Sequence, residues 1–219
     1  MIPNSLTPEE FEAVLLDVRK AYRLLYLYQD RMLNTVRFIG GQLGSVYQGG
    51  YPWFSSNTPR EGKGDLESWA WDWLNMYFYE FHFWDRQVDG QNISFAVVLQ
   101  SDTGSAEVPA TSRIDLKGFM PVETSQSRLR LIAGKNAWVH DAGESFNVTN
   151  SAVYADLFRY EKVDGSGVLL TKGYPLASFL NEAATMRVLT DFVGLCQQNG
   201  IPQLQLVHNT SGGSPSQRL

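Results

Sequence analysis

One stretch constrains the fold of this chain more than any other. Phe11, Leu15, Val18, Tyr22 and Leu25 recur at spacings that alternate between four and three residues, and Met32, Val36 and Ile39 resume the pattern. Gln29 holds the seam position between the two runs. Apolar groups at this period lie along one side of an α-helix. A start signal stands directly before them. Thr7 can accept from free backbone N–H groups, Pro8 suits the first helical position, and Glu10 completes a capping box. Gly40-Gly41 reads as the stop.

A helix over 8–39 would be about 48 Å long. A domain of this size has a radius of gyration near 17 Å, hence a diameter of roughly 44 Å. Such a helix either bends, with Gln29 as the natural place, or carries its end beyond the body. Four heptads of alternating spacing are also enough for a coiled coil, so a homodimer through helix 8–39 is one reading of the chain. Packing against the chain's own sheet is the other.

The 219 residues include 18 Lys and Arg against 23 Asp and Glu, a net charge of −5, which speaks against a broad nucleic-acid-binding face. No run approaches the eighteen or so apolar residues of a membrane span. The first residues lack the basic and apolar regions of a secretory leader. Cys196 is the sole cysteine, which excludes an internal disulfide and a cysteine-rich zinc site. A cytoplasmic protein without metal or other cofactor is expected.

Residues 40–65 read as a loop rich in Gly, Ser, Asn and Pro that nevertheless carries Tyr47, Tyr51, Trp53 and Phe54. Aromatic groups are depleted in disordered segments, so the first half should dock on the body, with 57–64 mobile. A short helix is expected from Asp65. Beyond it, 76–86 reads as an aromatic strand and 93–100 as its return, joined by the hairpin turn Asp89-Gly90. Counting outward from that turn sets Trp84 against Phe95, His82 against Val97 and Glu80 against Leu99. Tyr79, Phe81 and Phe83 then share the other side with Gln100, Val98 and Ala96. Apolar groups on both faces predict a strand pair covered on both sides.

Further strands are expected at 113–117, 128–133 and 138–140, and a hairpin at 153–162 and 168–172 across Asp164–Gly167. Ser178 reads as a helix cap ahead of a stripe formed by Phe179, Ala183, Met186, Leu189, Val193 and Cys196, ending at Asn199-Gly200. Leu204–Val207 could add an edge strand. Together these predict an α+β fold: a mainly antiparallel sheet of about five or six strands, with a long N-terminal and a C-terminal helix packed on it. Residues 1–208 form one domain in this reading, and 209–219 a disordered tail.

Few residues suggest chemistry. Glu80 and His82, two apart on a strand, point to one face, and a carboxylate orienting an imidazole serves general-base and metal sites. They are the weak catalytic candidates. Arg128 and Arg130 alternate on a strand and offer a small patch for an anion or an acidic partner. His140, with Asp141 and Glu144, and His208 carry little signal, and no nucleophile elbow, kinase signature or zinc-protease helix is present. No enzyme class is therefore read. The favoured reading is a non-enzymatic protein-binding module of immunity, inhibitor or assembly-accessory type, with Tyr47, Tyr51, Trp53 and Phe54 as contact residues. An acidic module gains association rate on a basic partner. The alternative is a small-molecule-binding domain or hydrolase with Glu80 and His82 in a cleft under the 40–65 loop.

Overall fold

The computed structural model describes residues 7–52, 78–104, 119–137 and 155–207. Helix α1 runs from Pro8 to Gln42, 35 residues without interruption. Its start is the one the sequence encodes: Thr7 Oγ1 accepts from the Glu10 N–H at 3.2 Å, and Glu10 Oε2 accepts from the Thr7 N–H at 2.8 Å. Its end falls later than the glycine pair suggests. Gly40 and Gly41 stay helical, and the chain turns at Gly44, whose φ of 60° is the left-handed conformation glycine adopts without strain. The Ser45 N–H bonds to Gly40 O and the Gly44 N–H to Gly41 O, closing a Schellman motif.

Strand β1 (Tyr47–Pro52) follows, then β2 (Phe78–Phe83), β3 (Arg86–Val88), β4 (Gln91–Gln100), β5 (Arg128–Lys135), β6 (Leu157–Glu161) and β7 (Val168–Pro175). They form one antiparallel sheet in the order β1-β2-β4-β5-β7-β6, with β3 also pairing with β4. A 3-10 turn (Leu176–Phe179) leads into helix α2 (Glu182–Gln198). The expected α+β architecture of two terminal helices on an antiparallel sheet is what the structure shows.

Several boundaries move. Residues 47–52, expected as loop, form an edge strand because their backbone bonds to β2. Ser178 lies within the 3-10 turn, and the cap of α2 is Asn181, whose side chain accepts from the Ala184 N–H at 2.9 Å. The buried stripe of α2 therefore runs through Thr185, Val188, Leu189, Phe192, Val193 and Cys196, with Ala183 exposed. Residues 204–207 form no strand. Leu204 is buried and the Val207 N–H bonds to Gln42 O, which ties this segment to the end of α1. The strands expected at 113–117 and 138–140, the helix from Asp65 and the tail 209–219 lie outside the described residues.

The register of the central hairpin decides which side chains meet. Asp89 and Gly90 both have positive φ, 51° and 72°, as a type I′ turn requires. Next to the turn the pairing is as counted, with Arg86 opposite Ile93. Further out His82 stands opposite Ala96 and Glu80 opposite Val98. Between these pairs, Phe83, Trp84 and Asp85 span the stretch that Ser94 and Phe95 span on β4. One extra residue on one strand is a β-bulge, and it moves every residue beyond it to the other side. The expected contacts of Glu80 with Leu99, His82 with Val97 and Trp84 with Phe95 are thereby replaced. Trp84 turns outward, 50% exposed, and Asn92 Nδ2 donates to Asp85 Oδ2 at 3.2 Å across the bulge.

The sheet thus has two distinct faces. Phe81, Phe83, Phe95, Val97, Leu99, Leu129, Leu131 and Leu170 join Met32, Val36 and Ile39 of α1 and Leu189, Phe192 and Cys196 of α2 in the main core. The opposite face has a smaller cluster of Phe78, Ala96, Val98, Ile132 and Leu169, to which neither helix contributes.

Candidate functional site

The smaller face carries the polar residues. Glu80 and His82 lie side by side along β2, and Glu80 Oε2 is 2.8 Å from His82 Nε2, with both side chains fully buried. The same two rows of the sheet continue through Val98 and Ala96 to Arg130 and Ile132 of β5, then to Gly173 and Thr171 of β7. Arg130 is fully buried too. Its Nη1 donates to Ala155 O at 2.8 Å and to Thr171 Oγ1 at 3.1 Å. Gly173 makes room for it: a Cβ there would lie 3.3 Å from Arg130 Nη2. The carboxylate–imidazole contact expected from the spacing exists, and both of its side chains lie under cover.

The two arginines do not form a surface patch. Arg130 is inside, and Arg128 pairs with Asp156 at 2.8 Å and donates to Gln126 Oε1. The signal that separates them was present in the sequence: Arg130 is flanked by Leu129 and Leu131 and followed by Ile132 and Ala133. Thr171 and Gly173, which complete its surroundings, carry no motif that would have singled them out.

Among the four aromatic contact candidates, Tyr47 is placed by the structure. It is half exposed on β1 and lines an apolar groove of about 370 Å³ with Leu33, Val36 and Gly40 of α1 and Phe81 and Phe83 of β2. Its ring centroid lies 6.0 Å from that of Phe83 and 6.4 Å from that of Phe81. Partial burial, with the neighbouring Tyr79 hydroxyl adding to it, pushes the Tyr47 phenol up to about 12. Tyr51 stands opposite Glu80 in the β1–β2 register. Trp53 and Phe54 lie outside the described residues, as do His140, Asp141, Glu144 and His208.

Leu33 of that groove belongs to a helix only half attached to the body. From Tyr28 onward α1 is docked: the Tyr28 hydroxyl and Ser101 Oγ are 3.0 Å apart, Arg31 donates to Leu180 O, and Met32, Val36 and Ile39 are buried. Residues 8–27 contain no buried residue. Tyr22, Leu24, Tyr26 and Leu27 are between 59% and 70% exposed, and Phe11, Leu16 and Val18 are exposed as well.

No group of three His, Cys, Asp or Glu that could hold a metal occurs among the described residues. Cys196 is buried in the core, and burial pushes its thiol up to about 12, where a nucleophilic thiolate does not form at neutral pH. No helix of the described residues is long and apolar enough to cross a membrane.

Residues 8–205 match the model of a protein family described as PM0109. The chain belongs to that family. The PM0109 match opens at Pro8, the first residue of α1, and so takes in the exposed half of the helix as well as the sheet. No curated protein and no solved structure matches the chain.

Proposed function

We propose that this PM0109 family member is a non-enzymatic protein-binding module, of inhibitor, immunity or assembly-accessory type, that holds its partner on the exposed half of α1 and the adjoining Tyr47 groove. The observation that carries this reading is the row of large apolar side chains on residues 8–27. Phe11, Val18, Tyr22 and Tyr26 fall on one side of the helix; an exposed apolar stripe of this kind marks an interaction site, and Tyr is among the residues that anchor interfaces. Leu33 leads from the helix into the groove, where Tyr47, Phe81 and Phe83 offer further apolar area.

The hydrolase alternative draws on the 2.8 Å contact of Glu80 with His82. It is the weaker reading, since both side chains are fully buried, out of contact with solvent.

The test is capture of bound proteins from the native cell by the full chain and by a Tyr22→Ser/Tyr26→Ser variant of unchanged circular dichroism. The expected result is loss of at least one bound protein from the variant. An identical bound set, copies of the chain itself included, overturns the reading.

A further inference from the structure

We infer that the occupant of the exposed α1 surface is a second copy of this chain, paired antiparallel over residues 8–25; this rests on the protein-binding reading above. The first ground is continuity. Nine seam positions from Phe11 to Ile39 alternate at four and three, one unbroken heptad register. The last three, Met32, Val36 and Ile39, are covered by the chain's own sheet, at most 4% exposed. Before Tyr28 the chain itself no longer buries the seam: Phe11, Val18 and Tyr22 are exposed and Leu15 and Leu25 only partly covered, and a second copy offers a seam of the same spacing.

Geometry sets the direction. The body lies on the seam side of α1, because Met32, Val36 and Ile39 pack into it. Two parallel copies joined along the seam would drive both bodies into the same space. Antiparallel copies put the bodies at opposite ends, and each free helix ends against the other's body. Layers of Phe11 against Tyr22 and Leu15 against Val18 then repeat about a two-fold axis between residues 16 and 17, with Pro8 reaching Leu25 of the other copy.

Charge agrees with that direction. Glu12 and Arg19 each follow a seam residue by one position, so they flank the seam on the same side. In an antiparallel two-fold pair, positions on the same side face one another, which sets Glu12 against Arg19 of the second copy, twice. On the other side Val14 meets Ala21, two residues that cost nothing to bring together. A parallel pair would instead align the acidic first turns, with Glu9 and Glu10, of both copies.

Sedimentation equilibrium of the full chain at several concentrations tests the pairing. A dimer is expected, weakened roughly tenfold by Glu12→Arg or by Arg19→Glu, each of which turns two attractive contacts repulsive. Combining the two substitutions restores it, which also shows that the single variants fold. Spin labels report direction. Labels at Asp17→Cys should lie within roughly 15 Å of one another, and labels at Asp30→Cys about 40 Å apart from the helical rise; Cys196 is buried and leaves the labelling to the new thiol. A monomer at all concentrations, a dimer indifferent to both reversals, or closely spaced labels at position 30 overturns the inference. A monomer whose capture of another protein still depends on Tyr22 and Tyr26 overturns the second copy alone and leaves the binding reading standing.

Discussion

Asp191 shows how a half-exposed side chain on α2 can fasten the helix to the sheet. Its Oδ2 accepts from Lys172 Nζ at 2.8 Å and from the Tyr174 hydroxyl at 2.6 Å. Those donors hold the Asp191 carboxyl below the ordinary carboxylate value, while burial and the same carboxylate push the Tyr174 phenol up. Because the folded value is the lower one, the stabilisation is complete above the unfolded value, near 4, and is lost as pH falls through the folded value. Asp191→Asn should cost about 1 kcal/mol at neutral pH, a modest figure because the side chain is half in water. Urea unfolding of the two proteins at pH 7 and pH 3 checks this, and the gap should narrow at the lower pH. Arg130 is the other residue whose surroundings matter individually. Its guanidinium is inside because β7 opposes it with Gly173 and offers the Thr171 hydroxyl two residues along, so its burial is a property of two strands far apart in sequence.

At the scale of elements, α1 meets the sheet closely at Gly40. A Cβ there would fall 2.5 Å from Phe83 Cε1. Gly40→Ala gains helix propensity of up to about 1 kcal/mol, but the ring must shift, and overpacking of this kind typically costs about 1–3 kcal/mol. A net loss of stability is expected, lowering the Tm by about 2–4 °C for each kcal/mol lost in a chain of this size; calorimetry reads it. Such contacts also explain what could be read in advance. The cap of α1 is made by Thr7 and Glu10, neighbours in sequence, and was legible. The Asp89-Gly90 turn was legible for the same reason. The faces of β2 were not, because the bulge at Trp84–Asp85 is held from outside the hairpin. The Trp84 N–H bonds to Val46 O, and Arg86 Nη1 donates to Leu43 O at 2.9 Å. Counting from the turn without that residue sends Glu80 and His82 to the wrong side.

For the molecule as a whole, the division of α1 into a docked and a free half predicts a gradient in its dynamics. Backbone amides open with free energies set by the packing around them. Hydrogen exchange should be slow from 28 to 42 and fast from 8 to 25 at low protein concentration. Raising the concentration should slow the second segment, because pairing closes it. Uniformly slow exchange along α1 in dilute solution would show that the helix does not need a partner.

The free half also makes the chain measurable as a length standard. Insertion of seven residues near Tyr22 would preserve the phase of the seam on either side and extend the helix by about 10.5 Å. Insertion of one residue would instead swing Phe11 and Val18 by about 100° relative to Met32 and Val36, at almost no change in length. The sheet would be untouched in both cases. The distance between what the helix holds and what the sheet holds can therefore change in steps of two turns, independently of the core.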